Sequence, residues 1–553
     1  MLRTEKIKDY YKYLIYIFPA LYLLLGFYFR QVFGDLSLRS IDPEYIHFIS
    51  ALCVSTGKFS QANIDHPGSV LQLLLAVVFR VVYFFRGHNL PYFQDVISNS
   101  DLYLSVGNLV ITAIISIAML WAGKAVIKIT DNVLYALVIQ TSPFLLNIWY
   151  DIIGRIYPEL LFVVPVFILQ VLLLREIYHQ DKNYKPQIFL YAFAIAFGMS
   201  LKMTFLPFFV LPLFLIKNIR NKLRYLLYTI ISFFLLSLPV VFQLNKFRHW
   251  MESIFIHSGA YEGGNKNIID PGLFVKNFKT LLSSERDFFY AAITLLVLLI
   301  VLVISKRSKR ILLRISLGLT LIFLGFVFIV SKQYAVRYFI PALLFFPFML
   351  ILLKEIVESY IGKKIVRIVL SILLIIIIGY KLKQEVPYMR VVSKSVSAQM
   401  AARIETRDVV KTLKKDSYKI IVSQDYGSPF SEYAIMYSFA MGGKNWPGYK
   451  EKLNKLYPDT YQYFTWDNTL KYWGKGFNPN KIIASGKPVY LYLQKGNQTL
   501  YDKTIHKLFQ NYKDFLVKKK LIFKNPQNGE AILQIYFSKV QPADSARHVV
   551  HKK

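Results

Sequence analysis

Acidic side chains concentrate in one short polar stretch, residues 40–69, with the sequence SIDPEYIHFISALCVSTGKFSQANIDHPGS. The stretch lies between two long apolar runs, in a chain that has 33 acidic but 67 basic residues. A carboxylate at the end of an apolar run, such as Asp42 or Glu44, can act as a general base that takes a proton from the hydroxyl group of a substrate. The competing interpretation is that Asp42 caps a helix and that Asp65 and His66 belong to a turn. Local sequence leaves both interpretations open.

A second group of residues suits the binding of an anion. Arg155 and Glu159 lie in GRIYPEL, Lys202 lies in AFGMSLKMTFLPFF, and Lys332, Arg337 and Tyr338 lie in SKQYAVRYFIP. A charge flanked by apolar sequence indicates function by default, because burying it in a membrane is costly. A snorkelling Lys202 and a Glu159 that favours the dipole of a helix start are the alternatives. One lipid phosphate on one face would account for Arg155, Lys202 and Arg337, since arginine can hold phosphate through two parallel hydrogen bonds.

Apolar runs dominate the elements that must position these residues. The chain has 553 residues, of which 55% are hydrophobic, and runs such as AAITLLVLLIVLVI are typical of bilayer spans. The first run, residues 13–29, lacks a cleavage site for a signal peptide and predicts an uncleaved helix. The net charge of +34 fits cytoplasmic loops and anionic lipid, and no nucleic-acid-binding signature accompanies it. With Cys53 as the single cysteine, an internal disulfide and a cysteine-based metal cage are excluded.

The charge distribution predicts the topology. Candidate spans are 13–29, 102–127, 133–150, 160–174, 188–216, 225–242, 288–304, 315–330, 339–353 and 366–380. The positive-inside rule favours a surface position for 70–85 and a break of 188–216 around Lys202 and Pro207. Basic residues around 182, 217–224, 306–310 and 363–367 then face the cytoplasm, in a protein of about eleven transmembrane helices. Its amino terminus is inside and its carboxyl terminus outside.

In this topology the polar segments emerge on the outer face. The outer loops are 34–101 and 245–287, within a transmembrane domain of residues 1–381. The spacing of Ile46, Ile49, Leu52 and Cys53 after Pro43 predicts an amphipathic helix on the membrane surface, and VLQLLLAVVFRVVYFF predicts a second one.

The composition changes after residue 381. In residues 382–553, YKIIVSQD, KPVYLYLQ and EAILQIYF predict strands, and TIHKLFQNYKDFL predicts a helix between the last two. We therefore predict an outward-facing soluble α/β domain, periplasmic or extracellular.

The ordered set of motifs resembles a known family. D-x-E-Y, STGKF, DHPGS-x-x-Q-x-L, SPF, R-x-YPEL, G-x-x-L-K and RYFIPAL follow one another as in integral-membrane glycosyltransferases of the GT-C fold that use polyprenyl-phosphate-linked sugars. Protein O-mannosyltransferases and aminoarabinose transferases are among these relatives. The resemblance covers about residues 13–353.

The resemblance implies roles for the first-loop residues. Asp42 matches the family's catalytic Asp, while Pro43 stands where many relatives have a second acid, so Glu44 is the alternative base. The Asp65–His66 motif DHPG matches a surface-helix HPP motif, with Gly68 in place of the second proline.

The resemblance implies roles for the basic residues as well. Glu159 matches a second-loop acid, and Lys202 and Arg337 match positions near the lipid phosphate. Some members of the family depend on a divalent metal and others do not, so no cofactor is assigned.

These inferences predict the transfer of a sugar, with inversion at its anomeric carbon, at the outer face of the inner (plasma) membrane. Asp42 is the predicted general base. The predicted partners are a polyprenyl-phosphate-linked sugar, a glycan, lipid or protein acceptor, and membrane lipid, with no nucleic acid. Three alternatives remain open: a polysaccharide polymerase or ligase, a lipid-glycan transporter or flippase, and a non-enzymatic scaffold.

Overall fold

A computed structural model of the protein describes most of the chain. The described residues are 11–39, 42–87, 89–179, 187–258, 265–305, 310–423, 427–443, 446, 448–465, 468–473, 475–494, 498–509 and 515–539. The basic residues around 182 and at 306–309, which entered the topology prediction, lie outside them.

Helices form the chain up to residue 412. They are α1 Ile17–Phe33, α2 Leu36–Arg39, α3 Glu44–Ser55, α4 Ser69–Phe85, α5 Tyr92–Ser98, α6 Ser100–Thr130, α7 Val133–Gln140, α8 Asn147–Ile152, α9 Val163–Tyr178, α10 Ile188–Leu201, α11 Leu211–Leu215, α12 Ile219–Leu236, α13 Leu238–Val241, α14 Leu244–Ile256, α15 Pro271–Ser284, α16 Arg286–Ser305, α17 Arg310–Lys332, α18 Ile340–Leu343, α19 Phe346–Ile361 and α20 Lys364–Thr412. Short 3₁₀ segments connect some of them, at Tyr13–Tyr16, Phe59–Gln61, Ser142–Leu145, Pro158–Phe162, Met203–Val210 and Val336–Phe339.

Seven helical segments of the described residues are long and apolar enough to cross a membrane. They are Tyr13–Phe33, Ser100–Thr130, Pro158–Tyr178, Arg286–Ile304, Arg310–Lys332, Val336–Ile361 and Lys364–Thr412. The protein is therefore a polytopic helical membrane protein with a carboxyl-terminal sheet domain, whereas the count of about eleven spans stays a prediction.

The predicted outer loop 245–287 is largely helical. α14 and α15 occupy much of it. The signal for α15 is local, because Asp270 accepts a hydrogen bond from the backbone N–H of Leu273 at 2.9 Å and Pro271 follows as the first helical residue. A polar loop in the sequence is thus two amphipathic helices in the structure.

The chain divides into two compact units, each built from segments distant in sequence. Unit 1 comprises residues 1–31, 64–78 and 105–393, and unit 2 comprises residues 32–63, 79–104 and 394–553. Two parts of the first predicted outer loop therefore belong to the same unit as the carboxyl-terminal residues. The division of the chain at 381/382 stays a prediction.

Unit 2 contains a seven-stranded mixed sheet. Its strands are β1 Tyr418–Ser423, β2 Thr460–Phe464, β3 Thr469–Tyr472, β4 Lys475–Gly476, β5 Val489–Leu493, β6 Phe515–Lys524 and β7 Ala531–Lys539, in the order β4-β3-β2-β1-β5-β7-β6. The central strands β2, β1 and β5 are parallel and the outer pairings antiparallel. The accompanying helices are α21 Ser431–Met441, α22 Tyr449–Leu456, α23 Asn480–Ala484 and α24 Gln498–Phe509.

The predicted strands β1, β5 and β7 are confirmed by the structure. The helix predicted over TIHKLFQNYKDFL is shorter, because α24 ends at Phe509 and β6 begins at Phe515. The apolar residues of both central and outer strands, such as Ile420, Leu491 and Leu533, form one core. Their burial explains why strands with apolar residues on both faces were the easiest to predict.

The helix predicted to lie on the membrane surface, α3, is instead buried on nearly all sides. Within unit 2 it packs against α21, and the ring of Phe48 lies 5.3 Å from that of Phe79. Even Glu44, His47 and Ser50, which would form its polar face, are buried. The apolar periodicity was interpreted as an amphipathic pattern because the covering helix α21 is some 380 residues away in the sequence.

Candidate active site

A break in the backbone at Lys202 organises the site in unit 1. α10 ends at Leu201, Lys202 is extended, and the chain continues in the 3₁₀ segment that contains Pro207. Lys202 forms an antiparallel bridge with Pro67. Two backbone hydrogen bonds flank it, from Met203 N to the His66 carbonyl at 3.0 Å and from Gly68 N to the Leu201 carbonyl at 3.1 Å. The DHPG segment contacts both sides of the break. The break predicted around Lys202 is present in the structure, whereas two separate membrane crossings within 188–216 stay a prediction.

His66 has an unusual backbone conformation at this bridge. Its φ is +89°, in the region that residues other than glycine rarely adopt. Strain of this kind persists where the surrounding structure enforces it, which is often a functional site. The DHPG motif therefore forms a sharp bend beside Lys202, as the turn interpretation expects, while its part in a functional site stays a prediction.

Lys202 and Glu159 form a buried ion pair. The Lys202 Nζ lies 2.6 Å from the Glu159 Oε1, and the two side chains are 5% and 1% exposed. Arg337 adds positive charge that acts on the same carboxylate. The Glu159 Oε2 has no hydrogen-bond partner among the described residues. Because two buried charges repay their desolvation only with good geometry and further hydrogen bonds, stability alone explains such a pair poorly.

Aromatic rings surround the cations. The Lys202 Nζ lies 4.5 Å, and the Arg337 guanidinium carbon 5.6 Å, from the centre of the Tyr338 ring. The His66 ring centre lies 6.1 Å from that of Tyr338 and 5.0 Å from that of Trp250. Contacts of a cation with a ring face are favourable and strengthen when water is excluded. The rings therefore help to retain positive charge in a dry environment.

An apolar cavity of about 530 Å³ adjoins this group. His66, Trp250 and Tyr338 contribute to its wall, and side chains from α14, α17 and the 3₁₀ segment after Lys202 complete it. Gly325 of α17 allows the close approach of that segment, because a Cβ at this position would lie 3.2 Å from the Pro207 Cβ. The cavity thus combines an apolar interior with ionisable residues along one wall.

Lys332 is a further cation on the cavity wall. Its Nζ donates hydrogen bonds to the carbonyl oxygens of Ile254 at 2.7 Å and Phe255 at 2.9 Å, at the end of α14. The sequence already singles out Lys332 with Arg337 and Tyr338 in the SKQYAVRYFIP motif, and in the structure Lys332 lines the cavity. Trp250 was not singled out, because it lies in a segment interpreted as a loop.

Two further residues predicted in this group, Arg155 and Asp65, are sequence neighbours of Glu159 and His66. The Arg155 guanidinium carbon lies 4.5 Å from the centre of the Tyr157 ring, and the Arg155 carbonyl accepts a hydrogen bond from Asn108 at 2.7 Å. Asp65 precedes His66 and is partly exposed. Unit 1 therefore brings together His66, Glu159, Lys202, Arg337 and Tyr338.

The two predicted bases, Asp42 and Glu44, belong to unit 2. Glu44 is fully buried in the first turn of α3, whereas Asp42 is partly exposed. Pro43, and not Asp42, occupies the N-cap position of α3. A base must reach its substrate, so the burial of Glu44 favours Asp42, and the position of Pro43 argues against a simple capping role.

A metal site is not assigned. Among the described residues, no three His, Cys, Asp or Glu side chains are grouped so that they could hold a metal ion.

Comparison with known proteins gives similarity at the level of structure. No protein-family model and no curated protein matches the chain. Two similar solved structures are crystal structures of ArnT from Cupriavidus metallidurans, one bound to undecaprenyl phosphate and one in the apo state. Both cover 94% of this chain and 97% of that chain, with a TM-score of 0.48 and with 9% and 10% sequence identity.

Proposed function

We propose that the protein is an integral-membrane glycosyltransferase that moves a sugar from a polyprenyl-phosphate carrier to an acceptor hydroxyl. The observation that carries the proposal is the buried Lys202–Glu159 pair beside an apolar cavity. A polyprenyl-phosphate donor has the same two parts, a charged phosphate and a long apolar chain.

The phosphate end of the donor accounts for the buried cations. Lys202 and Arg337 bind the phosphate oxygens, and Glu159 holds the Lys202 ammonium in place while the donor is absent. When the bond between the sugar and the phosphate breaks, negative charge grows on the leaving phosphate. Cations fixed in a water-poor site stabilise that charge more strongly than water does.

The isoprenoid end accounts for the cavity. Its lining is almost entirely apolar, and its volume of about 530 Å³ suits part of a prenyl chain. Burial of apolar surface favours association, because it removes that surface from water. The chain thus supplies affinity that is independent of the sugar, so this site alone does not select the sugar.

Asp42 is proposed as the general base, on the strength of the motif and of its partial exposure. It takes the proton of the acceptor hydroxyl, the oxygen attacks the anomeric carbon, and the bond from that carbon to the phosphate oxygen breaks. The products are an inverted glycoside and polyprenyl phosphate. From the charge distribution we place the reaction at the outer, periplasmic or extracellular, face of the inner membrane.

The test uses purified protein in liposomes with a panel of polyprenyl-phosphate-linked hexoses and pentoses. Acceptors are glycan, lipid and protein fractions of the cell envelope, and mass spectrometry detects released polyprenyl phosphate and the covalent product. Asp42→Asn should lower turnover by about 10²–10⁴-fold, because Asn keeps the shape but cannot accept the proton. Asn is as good a helix cap as Asp, so a capping role predicts unchanged turnover.

Glu44→Gln is run in parallel as the alternative base. Loss of activity in Glu44→Gln with full activity in Asp42→Asn would move the base to Glu44. Activity in both variants would contradict a first-loop base. Movement of the intact lipid-linked sugar across the liposome membrane, without any covalent product, would make the protein a transporter.

A further inference from the structure

Arg403 of α20 links the sheet of unit 2 to the segment that precedes Asp42. Its Nε lies 3.3 Å from the Glu530 Oε1, near the start of β7. On its other side, one guanidinium nitrogen donates hydrogen bonds to the carbonyl oxygens of Leu38 and of Arg39, the latter at 3.1 Å. Arg403 is thus bonded to two regions that lie nearly 500 residues apart in the sequence.

The environment of Glu530 fixes this arrangement. Its side chain is 1% exposed, that of Arg403 is 15% exposed, and the Tyr492 hydroxyl donates a hydrogen bond to the Glu530 Oε1 at 2.8 Å. Burial raises the pKa of Tyr492 well above its usual value, so the hydroxyl keeps its proton and remains a donor. A partly buried arginine with a fixed carboxylate partner has little freedom to change its rotamer.

The sequence also leaves room for the guanidinium. A Cβ at Gly427 would overlap the Arg403 guanidinium, and the Gly427 carbonyl accepts a hydrogen bond from the Gln494 side chain. α20 is held to the β6–β7 connection nearby, because the Asn525 amide donates to the Ala402 carbonyl at 2.8 Å and to the Thr406 hydroxyl at 3.1 Å. Several side chains of the carboxyl-terminal region therefore position Arg403.

The segment that carries Asp42 is held at both of its ends. On the amino-terminal side, Arg403 bonds the last residues of α2, only three positions before Asp42. On the carboxyl-terminal side, α3 packs against α21, and the Gly443 N–H donates to the Gln61 carbonyl at 2.7 Å. Both restraints come from residues after 402.

We propose that Arg403 is a positioning residue for Asp42 and that the carboxyl-terminal α/β domain serves to hold the first-loop acid in its catalytic geometry. The inference rests on the proposed function, in which Asp42 is the base. It gives the domain a role that its own motifs do not indicate. A displacement of about 1 Å in a catalytic group can cost about 10²-fold in rate, so a fixed restraint is expected to matter.

The test is a double-mutant cycle of Arg403→Met with Asp42→Asn, measured as turnover per folded protein. In the wild-type background Arg403→Met should lower kcat by about 10²-fold and leave the KM of the donor unchanged, because Lys202 and Glu159 are untouched. In the Asp42→Asn background it should change the remaining rate by less than about twofold, since a residue that acts through Asp42 has nothing left to position.

Three further variants complete the experiment. Gly427→Ala should also lower turnover, but its new Cβ would lie 2.5 Å from the Arg39 carbonyl oxygen as well as overlapping the guanidinium, so it tests this contact as a whole rather than Arg403 alone. Arg403→Lys should recover part of the rate, since one ammonium can reach some but not all of the partners. Lys487→Met, which breaks pairs with Asp416 and Asp459 elsewhere in unit 2, is the matched control and should keep wild-type turnover. If Arg403→Met is not recovered in folded form, Arg403→Lys enters the same cycle in its place.

The outcomes separate the two ideas. Equal losses from Arg403→Met in both backgrounds, or wild-type turnover of Arg403→Met, would overturn the positioning role and leave Asp42 as the base. Full activity of Asp42→Asn would overturn the base itself, and the positioning role with it.

Discussion

Two lysines of unit 1 are buried in much the same way but differ in their surroundings. Lys202 is 4% exposed and pairs with Glu159, and Lys354 is 5% exposed and pairs with Glu358. Each ammonium lies over a tyrosine ring, at 4.5 Å from the centre of Tyr338 for Lys202 and 4.9 Å from that of Tyr135 for Lys354. Each also has a cavity close by, of about 530 Å³ and 520 Å³. Burial, pairing and cavity size therefore do not distinguish a site from a structural network.

The backbone and the partners do distinguish them. Lys354 lies inside the regular helix α19, one turn from Glu358, and donates to the Tyr135 hydroxyl at 2.7 Å. That hydroxyl and the hydroxyl of Tyr178 both donate to Glu355 of the same helix, at 2.5 and 2.6 Å. This network ties the end of one helix to its neighbours.

Lys202 has no such local support. It is extended at a chain break, its partner is 43 residues away in the sequence, and the strained His66 and the cation Arg337 adjoin it. A stabilising network needs none of these features, because a helix can supply its own partners. We infer that convergence of cations at a backbone irregularity, rather than burial of a charge, marks the site.

The largest difference between the two lysines is expected in catalysis. Lys202→Met should lower kcat/KM for the donor by tenfold to over a thousandfold, because losing one partner of a charge-assisted pair costs about 2–5 kcal/mol. Lys354→Met should keep turnover per folded protein within about twofold, although it leaves Glu358 with only its longer contact to Arg367 and lowers stability. Transfer assays on both variants, scaled to the folded fraction, make the comparison. Equal losses of turnover in both variants would mean that the two ion pairs do not differ in their importance for catalysis.

Narrowing the two cavities should affect the KM of the lipid-linked donor differently. Gly325→Val narrows the cavity beside Lys202, where the new atoms would press on Pro207, and overpacking typically costs about 1–3 kcal/mol. The KM should rise about tenfold for a long-chain donor and less for a donor with a ten-carbon chain. Ala291→Leu in the second cavity is the control. An equal rise for both chain lengths would argue that the chain binds elsewhere.

Cysteine labelling tests whether the two lysines lie towards opposite faces of the membrane. The wild-type protein should give no labelling signal of its own. Cys53 is buried in α3, and burial raises the pKa of its thiol to about 12, so almost no reactive thiolate is present near pH 7. Ser283→Cys should react with an impermeant maleimide from the outside, and Lys363→Cys only after the membrane is opened. The reverse labelling pattern would contradict the predicted topology.

Much of the fold could be predicted from local patterns. Long apolar runs fix α6, α16 and α17, and apolar strands fix β1, β5 and β7, because in each the residues decide the element without help from distant parts of the chain. The pairing of α3 with α21 could not be predicted, since helix periodicity tells which face is apolar but not what covers it.

The site was predictable to a similar extent. Lys202, Glu159 and Arg337 could be singled out because a charge within apolar sequence is conspicuous. Their proximity depends on three separate segments, which are the backbone break at Lys202 and the 3₁₀ segments Pro158–Phe162 and Val336–Phe339. The left-handed His66 and the wall residue Trp250 emerge only when the chain is folded. The role of Arg403 could not be predicted either, because its partners Arg39 and Glu530 lie near opposite ends of the chain.

The most direct test of the phosphate site is the binding of polyprenyl phosphate itself, without a sugar, in detergent micelles. Its affinity is measured for the wild-type protein, Lys202→Met and the matched Lys354→Met. We expect Lys202→Met to bind at least tenfold more weakly, in line with a loss of about 2–5 kcal/mol, and Lys354→Met to bind as the wild type does. Wild-type affinity in Lys202→Met would contradict the account, because the buried lysine would then not hold the lipid phosphate.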